Sequence, residues 1–159
     1  MMCRDKCHCT LVLKNDLDEI DSVWAAILDV LENFGLDRRD LFQINLVVDE
    51  LFTNIVSYAY PDKGEHDIEA NISIEKKHLV VEFVDDGIEF NPVEFKEPDI
   101  CESLQKRHEG GLGIHFCRKC NTNCTHERKN GQNHVTCIKR IHKTRSFDKL
   151  ITYQIINVH

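Results

Sequence analysis

The amino-acid sequence predicts an α+β domain whose helices cover one face of a sheet. Two segments with helical spacing of apolar residues come first, two segments with strand-like alternation follow, and a further helix and strand complete the pattern. The chain has 159 residues, of which 42% are hydrophobic and 30% charged, and this suits one domain with its own core. The order of elements favours a mixed, mostly antiparallel sheet layered against helices.

The first strand and the first helix are predicted near the start of the chain. Residues 9–14 resemble a short strand, and Asn15 or Asp16 is suited to cap the helix that follows. Gly35 supplies a stop signal. The apolar residues at helical spacing between these signals are Ile20, Val23, Trp24, Ile27, Leu28, Leu31 and Phe34. We expect this stripe to belong to the core, and we expect no ligand-binding role for Trp24.

The second predicted helix is unusually apolar. It is expected to begin near Asp37 or Arg38 and to end near Tyr58. Because apolar residues cover most of its circumference, we expect the helix to be buried. Glu50 and Asn54 are polar residues in its middle, so their presence there needs a separate explanation.

The remaining segments complete the sheet. In chain order they are strands at 67–75 and 78–84, a loop at 85–113, a helix at about 112–123, a turn at Asn130-Gly131 and a strand at 134–141. The two strands at 67–84 are predicted to form a hairpin, because their apolar residues alternate and a short turn separates them.

Charge and hydropathy exclude two classes of function. The formal net charge of −7 leaves no basic excess to neutralise nucleic-acid phosphates, although it permits docking to a basic patch on a protein. No apolar run approaches the roughly 20 residues that span a bilayer, and the first residues lack the apolar stretch of a signal peptide. We therefore expect a cytosolic protein that binds neither nucleic acid nor a membrane.

Eight cysteines are the other notable feature of the composition. In a reducing cytosol they are predicted to be free thiols, with metal binding as the alternative. Cys117, Cys120 and Cys124 have i, i+3, i+7 spacing, which would place them on one face of the third predicted helix. We expect them to pack as small apolar side chains, and zinc or a redox centre is the alternative.

The first of three candidate motifs is Glu50-Leu51-Phe52-Thr53-Asn54. The i, i+4 spacing puts the Glu50 carboxylate and the Asn54 amide one turn apart on the same helix face. A carboxylate can deprotonate a nucleophile, and an amide oxygen is a suitable ligand for Mg²⁺. Taken alone, the pair is better explained as part of a solvated stripe.

The second motif, residues 84–92, leaves a predicted buried strand and enters a turn directly. Asp85 could accept a hydrogen bond from the exocyclic amine of adenine, and Gly87 would let the backbone approach a flat base. A plain turn is the alternative, because Asp-Gly is a common turn dipeptide.

The third motif is Gly110-Gly111-Leu112-Gly113-Ile114, at the predicted start of the third helix. Backbone N–H groups freed by glycines and the partial positive charge of a helix N-terminus together suit a phosphate. The motif is neither a Walker A loop nor a dinucleotide-binding fingerprint, and a glycine cluster alone is weak evidence.

Together, the order and spacing of the three motifs resemble the N, G1 and G2 boxes of the GHKL ATPases. Within that superfamily, residues 50–61 and the run from Gly110 through Lys119 resemble the anti-sigma-factor serine kinases of bacterial partner-switching systems. The resemblance covers roughly residues 9–141, which leaves residues 1–8 as a tail and residues 142–159 as an extension that could add a strand. It implies a Bergerat-type two-layer α/β sandwich that binds ATP with Mg²⁺.

The resemblance also implies a role for each matched residue. Glu50 would be the general base, Asn54 the Mg²⁺ ligand, and Asp85 the reader of the adenine amino group, with Gly87 beside the base. The other implied positions are the phosphate-binding turn at Gly111, Leu112 and Gly113, a lid at about residues 93–109 from which Lys106 or Arg107 could approach the phosphates, and Thr136 near the base. For Thr136, an ordinary strand residue is an equal alternative.

These roles imply an ATP-dependent serine/threonine-protein kinase of the bacterial cytoplasm. Its substrate would be an anti-anti-sigma partner of the STAS type, and the same domain would bind a sigma factor; a homodimer is left open. The main alternative is a non-catalytic module that uses ATP to regulate its choice of partner. The catalytic domain of a histidine kinase fits less well, because the sequence shows no dimerisation helix pair with a phosphoacceptor.

Overall fold

The computed structural model describes residues 8–32, 34–35, 37–92 and 122–142. The elements of this part are β1 (His8–Lys14), a 3₁₀ helix (Leu17–Glu19), α1 (Ile20–Leu31), α2 (Arg38–Tyr58), β2 (Asp67–Glu75), β3 (His78–Asp85), β4 (Thr122–Lys129) and β5 (Gln132–Arg140). The five strands form one sheet in the order β1-β2-β3-β5-β4, and each neighbouring pair is antiparallel. The predicted α+β class is confirmed.

Predicted capping residues open the 3₁₀ helix before α1 and the helix α2, whereas Glu19, which precedes α1, makes no side-chain capping bond. The Asp16 side chain accepts a hydrogen bond from the N–H of Asp18 and opens the 3₁₀ helix that leads into α1. The Asp37 side chain accepts from the N–H of Arg39 in the first turn of α2. These bonds satisfy N–H groups that have no partner within the helix, and therefore fix where each helix starts.

The core lies between the two helices and one face of the sheet. Alternate residues of β2, β3 and β5 point into it, and Phe52 of α2 meets Phe83 of β3 with ring centroids 5.7 Å apart. The expected burial of α2 on most sides is wrong at Phe42, which is 58% exposed. Neither described helix has the length and apolar composition needed to cross a membrane.

The opposite face of the sheet carries no helix within the described residues; it combines polar side chains with exposed apolar ones such as Val12 and Ile138. Asn71 accepts from the Thr10 hydroxyl and donates to Glu82, and Glu82 lies 3.2 Å from Nδ1 of His134. An antiparallel sheet commonly exposes one such polar face to water.

The segment that leads into β5 differs from the prediction. Thr122 and Asn123, expected to end the third helix, instead begin the edge strand β4. The rest of the predicted helix lies outside the described residues. Strand β4 was missed because it is mostly polar and its alternation is weak: an edge strand buries only part of one face.

The new strand changes the interpretation of the cysteines. Cys124 lies directly opposite Cys137 of β5, with Cα atoms 4.2 Å apart, and the two form a disulfide. The prediction of free thiols is therefore wrong for this pair, whereas Cys9 is a free thiol. The shared helix face is also wrong for Cys124, and Cys117 and Cys120 lie outside the described residues.

A buried polar cluster joins the C-terminal end of β5 to the start of α2. Lys139 and Asp40 are each 5% exposed, and their charged atoms are 3.6 Å apart. Lys139 also donates to Gln43 at 2.7 Å, and Asp40 accepts from the N–H of His142 at 2.9 Å. We call Asp40, Gln43, Lys139 and His142 the α2–β5 cluster.

Candidate functional site

Glu50 and Asn54 lie one turn apart on α2, as their spacing predicts. Nδ2 of Asn54 donates to Oε1 of Glu50 at 3.3 Å, and Asn54 is 1% exposed while Glu50 is half-buried. This bond occupies only the nitrogen end of the amide. The solvated stripe that the pair alone would suggest is therefore wrong for Asn54.

Two buried side-chain oxygens in the described part have no hydrogen-bond partner. They are Oδ1 of Asn54 and the hydroxyl of Tyr60, two residues beyond the end of α2. Burial, and then the charge of Asp85, raise the pKa of the Tyr60 hydroxyl. A buried oxygen without a partner costs roughly 1–3 kcal/mol. The free energy lost at Asn54 could be recovered if a cation or a donor reached this oxygen.

Asp85 is the last residue of β3 and is 2% exposed. Its Oδ1 accepts from the N–H of Gly87 and from Nδ2 of Asn133, both at 2.9 Å. Burial raises the pKa of the carboxyl, while the bonds from Asn133 and Gly87 and the charge of Arg128 act to lower it. Among the described residues, the hydrogen bonds of Asp85 are both on Oδ1, so Oδ2 can accept one from a ligand.

Gly87 is needed because the loop after β3 packs tightly against the end of α2. A Cβ at this position would lie 2.5 Å from the carbonyl oxygen of Ala59 and 2.6 Å from its Cβ. The next residue, Ile88, donates its N–H to the same carbonyl at 2.9 Å. The structure thus gives Gly87 a packing role in addition to the predicted approach to a base.

Two residues that the sequence did not single out hold this loop from the other side. Asn133 of β5 donates to the carbonyl of Ile88 at 2.8 Å as well as to Asp85, and Arg128 of β4 donates to the carbonyl of Gly87 at 2.8 Å. We call Arg128 and Asn133 the hairpin clamp. A signal existed for Asn133, because it shares the alternation of the buried residues of β5, but β4 and hence Arg128 were not predicted.

Thr136 is not brought to the same place as Asp85. It pairs with Glu82, whose side chain belongs to the open polar face of the sheet, whereas Asp85 pairs with Asn133 on the helix side. Side chains three residues apart on a strand point to opposite faces. The position beside Asp85 belongs to Asn133, and Thr136 has no place in the site. Lys106, Arg107, Gly111, Leu112 and Gly113 lie outside the described residues.

The described candidate residues offer three chemical groups. One is a carboxylate with an open acceptor oxygen, the second is a hard amide oxygen, and the third is the Glu50 carboxylate beside that amide. No group of three or more His, Cys, Asp or Glu side chains within the described ranges is arranged to hold a metal ion. Mg²⁺ needs no such group, since it usually takes one or two protein ligands and keeps several waters.

Comparisons with known proteins agree with this fold. A model of the histidine kinase-like ATPase domain family matches residues 13–139. The serine/threonine-protein kinase BtrW of Bordetella bronchiseptica is 28% identical over 110 residues, covering 67% of this chain and 78% of that protein. The crystal structure of the RsbU and RsbW domains of Rv1364c from Mycobacterium tuberculosis matches with a TM-score of 0.59 at 14% identity.

The solved structure is informative about the fold alone, because its sequence identity is low. The match covers 89% of this chain and 34% of that one, so this chain spans about a third of that protein's length. The family model, in contrast, includes Glu50, Asn54, Asp85 and Gly87 within its matched residues. The chain therefore belongs to the histidine kinase-like ATPase domain family.

Proposed function

We propose that this chain is an ATP-binding anti-sigma factor that phosphorylates a serine or threonine on an anti-anti-sigma partner of the STAS type. The observation that carries the proposal is the buried Oδ1 of Asn54, which lacks a partner in the described part and lies one turn from Glu50. This oxygen suits Mg²⁺, so Asn54 would hold the ion that accompanies ATP. The proposal places the protein in the bacterial cytoplasm, where it would also bind a sigma factor.

Asp85 would recognise the adenine of ATP. An exocyclic amine is a donor, and Oδ2 of Asp85 is an acceptor that neither the N–H of Gly87 nor Asn133 occupies. Gly111, Leu112 and Gly113 are proposed to bind the phosphates, on the strength of their match to the G2 box.

Glu50 would act on the attacking hydroxyl of the partner. A carboxylate at this position can orient the hydroxyl and take its proton as the bond to the γ-phosphorus forms and the bond from that phosphorus to ADP breaks. Asn54 holds Glu50 through its Nδ2, which restricts the rotamer of the carboxylate. When bound, Mg²⁺ supplies charge neutralisation at the phosphates.

Substitution of Glu50 tests the proposal. Glu50→Gln keeps the size of the side chain and loses its basicity, so we expect ATP affinity to change little while phosphate transfer falls by about 10²–10⁴-fold. The measurements are ATP binding by calorimetry and transfer of labelled phosphate to purified STAS proteins. Asp49→Asn is the matched control, because Asp49 is the neighbouring carboxylate but accepts from Trp24 instead.

Two outcomes would contradict the proposal in different ways. A wild-type protein that binds ATP and its partner but transfers no phosphate would favour the non-catalytic module, in which ATP only regulates partner choice. Equal transfer by wild type and Glu50→Gln would remove Glu50 from the mechanism.

A further inference from the structure

Asn133 is a buried amide whose hydrogen-bonding capacity is completely used. It is 1% exposed, and its two N–H bonds go to Oδ1 of Asp85 and to the carbonyl of Ile88. Its Oδ1 accepts from Arg128 at 3.0 Å and lies 3.2 Å from Nε2 of His126. An amide offers two donors and about two acceptor sites, so this arrangement admits only one orientation of the group.

The fixed amide determines how Asp85 presents its carboxylate. Since Asn133 and the N–H of Gly87 both bind Oδ1, the carboxylate plane is set and Oδ2 is directed away from these donors. Both groups belong to rigid surroundings: Asn133 lies within β5, and the loop containing Gly87 is bonded to the end of α2. Preorganised groups of this kind bind a ligand without first paying for their own ordering.

We infer that the hairpin clamp, Arg128 and Asn133, makes the site selective for purines with an amino group at position 6 over purines with a carbonyl there. The inference rests on the proposed function, because it assumes that Asp85 contacts the base. Oδ2 of an ionised, fixed Asp85 accepts a hydrogen bond from an amino group at position 6. A carbonyl oxygen at that position is itself an acceptor, so it would face Oδ2 with no hydrogen between them. The clamp residues act through Asp85 and are positioning residues.

The protonation of Asp85 supports this assignment. Burial acts to raise the pKa of the carboxyl. A protonated Oδ2 would be a hydrogen-bond donor, and it would bind a purine that has a carbonyl at position 6. The bond from Asn133 and the charge of Arg128 both oppose this rise. The clamp therefore opposes protonation of Asp85 as well as fixing its orientation.

The test compares binding of ATP with binding of inosine triphosphate, which carries a carbonyl at position 6. For the wild type we expect ATP to bind at least about tenfold more tightly, the size of one hydrogen bond to a charged group. Asn133→Asp keeps the size and the acceptor for Arg128, loses both amide donors and places a second carboxylate against Asp85, which further disfavours ionised Asp85. We expect this variant to bind ATP about tenfold more weakly and to bind inosine triphosphate with an affinity within about threefold of the wild type. The selectivity would then be lost.

Controls separate a local effect from a general loss of structure. Asn123→Asp introduces the same change at an exposed position of β4 and should leave both affinities unaltered. Circular dichroism shows whether Asn133→Asp folds. If it does not, Arg128→Met provides the same comparison of the two nucleotides while both donors of Asn133 are retained. We expect Arg128→Met to reduce the selectivity several-fold.

The possible failures are distinguishable. Unchanged selectivity in a folded clamp variant, or equal affinity of the wild type for the two nucleotides, would overturn the role of the clamp while leaving nucleotide binding intact. A wild type that binds neither nucleotide would contradict the proposed function itself, and the clamp inference with it.

Discussion

Two buried polar clusters lie at opposite ends of β5 and differ in how their hydrogen bonds are used. The hairpin clamp and Asp85 are at the beginning of the strand, and the α2–β5 cluster is at its end. Asn133 and Lys139 are six residues apart, which is roughly 20 Å along a strand. In the first cluster, the described residues leave Oδ2 of Asp85 available, whereas in the second a lysine and a carboxylate neutralise each other within the fold.

The difference indicates which buried polar groups serve ligand binding. Burial of a charge is costly unless it is paired, so a cluster that balances its own charge can be explained by the fold alone. A cluster that leaves an acceptor without a partner can be explained if a ligand supplies one. Three substitutions test this distinction.

The largest effect on stability is expected in the α2–β5 cluster. Lys139→Met removes the ammonium group and leaves His142 as the remaining ionisable partner of the buried Asp40 carboxylate, so the free energy of unfolding should fall by about 3–5 kcal/mol. Denaturant unfolding followed by the fluorescence of the single tryptophan, Trp24, measures this change. ATP affinity of the folded variant should remain unaltered, because the cluster is far from Asp85.

A double variant provides the control for that prediction. Asp40→Leu combined with Lys139→Met removes both charges, and we expect much of the lost stability to return. A single variant as stable as the wild type would show that the ion pair has no structural role and would remove the contrast between the two clusters.

A smaller loss of stability is expected at Gly87. In Gly87→Ala the new Cβ would lie against the Ala59 carbonyl at 2.5 Å, so the loop must move, at a cost of about 1–3 kcal/mol. Here ATP binding should weaken together with stability, because Asp85 accepts from the N–H of the displaced residue. Gly64→Ala is the matched control, since its nearest neighbour is a side-chain oxygen of Asp62 at 3.2 Å. Equal Tm values for the two variants would contradict the tight packing.

The smallest effect on stability is expected at Asp85, where substitution should preserve or slightly increase stability, in contrast to the losses at Lys139 and Gly87. Because the pKa of Asp85 is raised in the folded state, the folded protein binds this proton more tightly than the unfolded chain does. The stability from this group is therefore fully present below the unfolded pKa and declines as pH rises through the folded pKa. Asp85→Asn avoids this decline while its Oδ1 can still accept both hydrogen bonds.

At neutral pH we therefore expect Asp85→Asn to be as stable as the wild type or slightly more so, although its ATP affinity falls by about tenfold or more. Tm measured from acidic to neutral pH, with calorimetry of ATP binding at neutral pH, checks both parts. The contrary result is an Asp85→Asn variant with a lower Tm than the wild type at neutral pH, and with no relative gain in Tm as pH rises. It would show that the ionised carboxylate stabilises the fold.

The parts of the fold with strong local signals could be predicted from the sequence. Asp16 and Asp37 were among the predicted cap residues, and the alternating apolar residues of β2 and β3 marked a hairpin. The i, i+4 spacing of Glu50 and Asn54 was sufficient to place both on one face of α2. In each case the determining interactions are within a few residues of one another.

The parts that depend on distant contacts could not be predicted in the same way. Strand β4 has little apolar alternation of its own and is held by its pairing with β5. The same pairing brings Arg128 to the carbonyl of Gly87, 41 residues away in the sequence. Thr136 was assigned without knowledge of the strand register, and a shift of one residue places a side chain on the other face of the sheet.

The disulfide of Cys124 and Cys137 has a topological consequence for the hairpin clamp. Together with the backbone between them, the two cysteines form a closed covalent loop that contains both Arg128 and Asn133. The exposed turn at Asn130-Gly131 lies within this loop and is a natural site of proteolytic cleavage. A protease that cuts there would produce two fragments that migrate as one species until a reducing agent is added, with Arg128 on one fragment and Asn133 on the other.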